Sequence, residues 1–187
     1  MNSSALLLWA AAALAQTERV HLDPAATRVN WTLDSLVHTV HGTFKVKSAD
    51  LWFDPATAKA GGRIVVDARS GESGSGARDS RMHKNILESQ TYPEITFVPD
   101  RIEGTVKLDG DSSVGLHGAF TIHGGTHEVT MPVKTHVSEG QLTATLSYGV
   151  PYLSWGLKNP STLFLKVSDT VNLEIHAAGE IHPGQTP

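Results

Sequence analysis

Ten histidines and one short basic run are the residues of this chain whose types invite chemistry. Converging imidazoles would hold a metal ion or a haem. His123 and His127, which flank Gly124-Gly125, are the only local pair whose placement allows a shared ion. His38 and His41 stand three apart in a strand-like segment, so they fall on opposite faces. Solvent-facing strand and turn histidines are the commoner meaning of such patterns. The second group is Arg78, Arg81, His83 and Lys84. These side chains suit an anionic head group through charge-assisted hydrogen bonds, or they form an ordinary solvated helix face balanced by Glu88. The chain has no G-x-S-x-G elbow, no H-E-x-x-H and no G-x-x-x-x-G-K loop, and with no cysteine it has neither a thiolate nucleophile nor a disulfide framework. No catalytic residue, metal or cofactor is assigned.

The elements that would position these groups read as strands. From His127 to Val137, Val129, Met131, Val133 and Val137 alternate with Glu128, Thr130, Lys134 and His136, the period of a strand with one buried face. The same period runs through Val29-Trp31-Leu33 and Val171-Leu173-Ile175-Ala177. Shorter copies lie at Val40 to Phe44, Leu51 to Phe53, Ile64 to Ala68, Ile95 to Phe97, Ile102 to Leu108, Leu116 to Ile122 and Leu142 to Tyr148. Turn pairs separate them at Asp54-Pro55, Pro99-Asp100, Asp109-Gly110, Gly124-Gly125 and Glu139-Gly140, so neighbouring strands are antiparallel. Eight to ten such strands make a barrel or a sandwich. Ala77 to Ser89 breaks the pattern and reads as one short surface helix capped by Asp79 or Ser80. A second irregular stretch runs from Val150 to Pro160. Trp31, Phe44, Phe53, Phe97 and Phe120 stand in phase with the aliphatic residues of their strands and share one interior. On pattern alone a packed core is favoured over an open, ligand-holding one.

The 187-residue chain carries 15 Lys plus Arg against 19 Asp plus Glu, and its net charge of -4 argues against a broad nucleic-acid footprint. Its first fifteen residues are uncharged and mostly apolar. Ala13-Leu14-Ala15 gives an A-x-A cleavage site after an apolar run too short to span a bilayer, so residues 1–15 read as a secretory signal peptide. Residues 16–182 then form one domain, with a disordered tail at 183–187. No later stretch is apolar enough for a membrane span.

Several segments resemble the YceI-like family, described as lipid- or polyisoprenoid-binding, lipocalin-like proteins of the bacterial periplasm. They are Arg78-Asp79 through His83, then Tyr92-Pro93-Glu94-Ile95-Thr96-Phe97, and Gly118 to Gly124. Trp155-Gly156 and Leu165 to Val171 resemble the family's closing segment. The sequence departs from the family pattern at Asp23 to Thr27, at Phe120 and at Ser168. The resemblance implies an all-β, extended, lipocalin-like antiparallel barrel of about eight strands, with one or two short helices near its mouth. It reverses the preference for a packed core. A polyisoprenoid or related long-chain lipid would then lie against Trp31, Phe44, Phe53, Phe97 and Phe120. From charge, Arg78, Arg81, His83 and Lys84 are assigned to its polar end. The expected role is periplasmic transport, storage or sequestration, with a homodimer left open. The alternatives are a barrel enzyme acting on a lipid or quinone-like substrate and a His-based metal or haem protein.

Overall fold

The structure is a computed structural model and describes residues 17–161 and 166–184. The expected signal peptide lies outside the described residues. Nine strands follow one another as β1 (Glu18–Leu22), β2 (Arg28–Asp34), β3 (Thr39–Phe53), β4 (Ala60–Glu72), β5 (Glu94–Glu103), β6 (Gly110–Ile122), β7 (Gly125–Ser138), β8 (Gln141–Val150) and β9 (Val171–Pro183). Every pairing between them is antiparallel.

The sheet closes on itself. β2 bridges Thr39 to Phe44 of β3 and Asn172 to His176 of β9, while β1 bridges Asp50 to Phe53 of β3 and Gly179 to Pro183 of β9. β1 and β2 are therefore two halves of one stave, broken by the turn at 23–27. With the remaining seven strands they make an eight-stave barrel, the size at which the interior holds side chains or one small ligand. The expected fold class is the observed one.

Alternation decides which side chains enter the barrel. Phe97 faces Phe120 in the β5–β6 register, and both are buried. Val129, Met131, Val133 and Val137 of β7 are buried while Glu128, Thr130, Lys134 and His136 are exposed. The turn expected at Gly124-Gly125 falls one residue earlier, since Gly125 already opens β7 and pairs with Ile122. His123-Gly124 and Glu139-Gly140 each place both central residues at positive φ, the left-handed pair that matches strand twist in a two-residue loop.

Several local expectations change. Pro99-Asp100 is no hairpin turn: β5 runs through it with a register shift between Pro99 and Arg101. A bulge tolerates a residue without an N–H as well as a turn does. β5 consequently ends at Glu103, and Ile102 to Leu108 is not a strand of its own. The single helix expected over 77–89 is a short α1 (Gly76–Arg81) followed by one π-helical turn, Met82–Ile86, in which the Leu87 N–H reaches back to Met82. The residue at its N-cap is Ser75, whose side chain makes no capping bond, while the Asp79 carboxylate, within the helix, accepts the Ser73 N–H at 2.9 Å. The last strand reaches Pro183, which pairs with Glu18, so residue 183 belongs to the sheet; residues 185–187 lie outside the described residues.

Glu18 shares the inward register of Val20 and Leu22 and is only 3% exposed. Burial pushes its carboxyl above the ordinary carboxylate range. The folded chain thus holds this proton more tightly than the unfolded one, and stability falls as pH rises through the raised value. Glu18→Gln should melt higher than the wild type near neutral pH, with the gap closing in acid. Thermal unfolding across that range checks it, and a gap independent of pH would refute the assignment.

Candidate functional site

The interior is not filled. Ile64, Val66, Ile102, Ala144 and Ile175 face the core yet are only partly buried, which a packed interior at crystal-like density would not leave. Two chambers account for it. The lower, about 170 Å³, is walled by Val20, Leu22, Ala49, Phe53, Phe97 and Ile181 among others. The upper, about 370 Å³, lies against Trp31, Leu33, Val40, Phe44, Met82 and Tyr152 and falls in the size range of ligand pockets. Val29, Val66, Ile95, Phe120, Leu173 and Ile175 line both, so the chambers meet at a waist. All five aromatics named from the sequence stand on this wall: Phe53 and Phe97 below, Trp31 and Phe44 above, and Phe120 at the junction.

Trp31 fits because its cross-strand partner is Gly42, where a Cβ would stand 2.2 Å from the indole. The Trp31 Nε1 is buried without a hydrogen-bond partner among the described residues, as are the Thr27 and Thr135 hydroxyls on the lower wall. An unmet buried donor costs about 1–3 kcal/mol, so Trp31 is held by its packing against Gly42 and not by its N–H.

The basic residues separate. Arg78 and Arg81 line the upper chamber together with His38. Arg78 is tethered, its Nε donating to the Ser73 hydroxyl at 2.7 Å and its Nη2 to the Ser73 carbonyl at 2.8 Å. Arg81 has no ion pair among the described residues. His83 is turned to the backbone, with Nε2 2.8 Å from the Gly71 carbonyl and Nδ1 3.0 Å from the Ser89 hydroxyl, and Lys84 is exposed away from the lining.

Sequence reading missed how the mouth is held. β7–β8 pairing stops at Val133 and Leu146, and the segment at 151–160 covers the gap, with Tyr152 and Leu157 buried. The Tyr152 hydroxyl donates to the Ser168 carbonyl at 2.8 Å; burial, then Asp169, pushes it up to about 12. Trp155 stacks on His127 at 4.1 Å and lies 5.5 Å from Phe120. Glu88 joins three separate segments: its carboxylate meets Lys158 Nζ at 3.0 Å and His123 Nε2 at 2.7 Å. Lys158 first, then His123, holds that carboxyl below its ordinary range. His123 and His127 thus have different partners and do not converge. Among the described residues the group of potential metal ligands that does converge is Asp100, His117 and Glu128, on the outer surface. There the Arg101 guanidinium stands 2.8 Å from His117 Nδ1, the nitrogen that also meets Asp100.

The YceI-like domain family matches residues 21–178. A UPF0312 protein of Pseudomonas putida is 27% identical over 92% of this chain and 91% of its own length. The crystal structure of Burkholderia cenocepacia BcnA has the same fold, with a TM-score of 0.67 at 21% identity over 84% of this chain and 98% of that one. A polyisoprenoid binding domain from Saccharophagus degradans, implicated in plant cell wall breakdown, gives 0.62 at 17% identity over 86% and 97%.

Because the Glu88 carboxyl is depressed in the folded chain, its contribution is present above the ordinary carboxylate range and is lost as pH falls through the lowered value. Glu88→Gln should therefore lower the melting temperature near neutral pH and lose its effect in acid. Hydrogen exchange should quicken in 151–160. Unchanged exchange there would mean that Glu88 pins nothing.

Proposed function

The chain belongs to the YceI-like domain family, and on that premise we propose that it holds one long-chain amphiphile, a polyisoprenoid or related lipid, in the lumen, tail down and head group at the mouth. The observation that carries this reading is the continuous two-chamber wall, apolar throughout except for Trp31, Trp52, four threonines, Tyr152, and the basic His38, Arg78 and Arg81 at its upper end. Apolar surface leaves water there at about 25 cal/mol per Å², with no bond made or broken. Arg78 and Arg81 face an anionic head group at the upper end. Binding rather than catalysis is favoured because no acid–base or nucleophile–base pair lines either chamber among the described residues. The polyisoprenoid-binding domain of the Saccharophagus structure supports the choice of ligand class. With the signal peptide, the role becomes transport, storage or sequestration in the periplasm.

Native mass spectrometry with lipid extraction, on protein taken from its own cells, tests the ligand class; a chain with no bound amphiphile and no affinity for any would end the proposal. Arg78→Ala/Arg81→Ala should weaken binding of a polyprenyl phosphate about tenfold or more, the worth of one charged hydrogen bond of about 1.5–3 kcal/mol, and leave the matching neutral alcohol nearly untouched. Equal losses for both ligands would show that the arginines do not read the head group. At the waist, Ile175→Trp should close off the lower chamber. Long chains should then bind no better than short ones, as measured by calorimetry, while a wild-type preference for length would place the tail elsewhere.

A further inference from the structure

The turn between β2 and β3 carries the two most exposed large apolar side chains among the described residues, Leu36 at 81% and Val37 at 75%. They are adjacent and form the tip. The backbone donors beneath them are met from within: Leu36 N–H donates to the Lys166 carbonyl at 3.2 Å, Ser35 N–H to the His38 carbonyl at 3.2 Å, and the His38 and Val37 N–H groups to the Ser35 hydroxyl at 3.1 and 3.4 Å. A tip built this way carries no unpaired amide donor, so its two side chains can enter the interface while its carbonyls stay at the level of the head groups.

Its position matters as much as its composition. His38, the next residue, lines the upper chamber beside Arg78 and Arg81, and Lys166 is exposed against the same turn, so the tip stands on the rim of the mouth among basic groups. Of the acids on these segments, Asp34 is engaged by the Thr39 hydroxyl at 2.7 Å and Asp169 by the Thr170 hydroxyl at 3.0 Å. An apolar wedge beside three cations, Arg78, Arg81 and Lys166, set against the two carboxylates Asp34 and Asp169, matches the interface of an anionic bilayer, where Leu and Val enter the acyl boundary and Lys and Arg stay with the head groups.

We propose that Leu36 and Val37 dock the mouth of the barrel onto an anionic membrane surface, so that a lipid tail passes between bilayer and upper chamber without crossing water. This rests on the lumen being a lipid site. Flotation with vesicles of phosphatidylglycerol and phosphatidylcholine in equal parts tests it. The wild type should float. Leu36→Ser/Val37→Ser should bind at least about tenfold more weakly with an unchanged melting temperature, because the removed side chains are 81% and 75% exposed. Leu36→Ile/Val37→Ile should retain binding, and vesicles of phosphatidylcholine alone should capture less. Titration of a short polyprenyl phosphate without vesicles reads the lumen separately. If only that titration fails, the lumen reading falls while the docking surface stands. A wild type that does not float, or a serine variant that floats as well as the wild type, overturns the proposal. So does a wild-type dimer that the serine variant dissolves while vesicle binding is unchanged, which would make a second copy of the chain the occupant.

Discussion

Closure of the sheet is the constraint from which the rest follows. An open sheet with one apolar face must find a second layer to cover it. Here the apolar face curls until it meets itself, and the ladder runs round the circumference with the β1–β9 and β3–β4 pairings completing it. The backbone is satisfied by the wall alone, so the interior is relieved of holding the fold together by filling its centre. Partly buried aliphatics such as Ile64 and Ile175 are the direct result.

Elements outside the ladder are held by different forces. α1, the π-helical turn and the segment at 151–160 have no strand partner over most of their length, and polar pins fasten them. Arg78 and Asp79 both close on Ser73, His83 spans Gly71 and Ser89, and Glu88 gathers His123 and Lys158. Such contacts on half-exposed side chains are each weak, which puts the rim at the low-stability end of the molecule and the wall at the high end. That gradient suits a container whose walls persist while its mouth yields.

The wall was legible in the sequence because parity in a strand is a local property: Trp31, Phe44, Phe53, Phe97 and Phe120 could be placed on one side by counting from their neighbours. The family resemblance supplied the openness that parity could not, since inward-facing residues look the same whether they touch across the centre or leave a gap. The breaks were harder to read. Pro99-Asp100 suits a turn or a bulge equally, and only the partner strand decides. The Glu88–His123 and Glu88–Lys158 contacts join residues 35 and 70 positions apart, beyond any local pattern. His83 looked like its basic neighbours because composition does not reveal that both ring nitrogens are spent on Gly71 and Ser89.

The divided first stave also sets the order of assembly. β1 has only β3 and β9 to pair with, and Val20 faces Ile181 across a junction of the first strand with the last. Hairpins from β3 to β8 can form from neighbours in the chain, but no vessel exists until β9 has emerged to lie between β8 and the β1–β2 stave. The costliest loop closure thus waits for the last strand of the barrel. Until then the inner faces of the half-made wall stand open to water and to other chains. A fold whose seam joins its first strand to its last therefore has its greatest hazard of self-association just before closure, when a chaperone would be of most use to it.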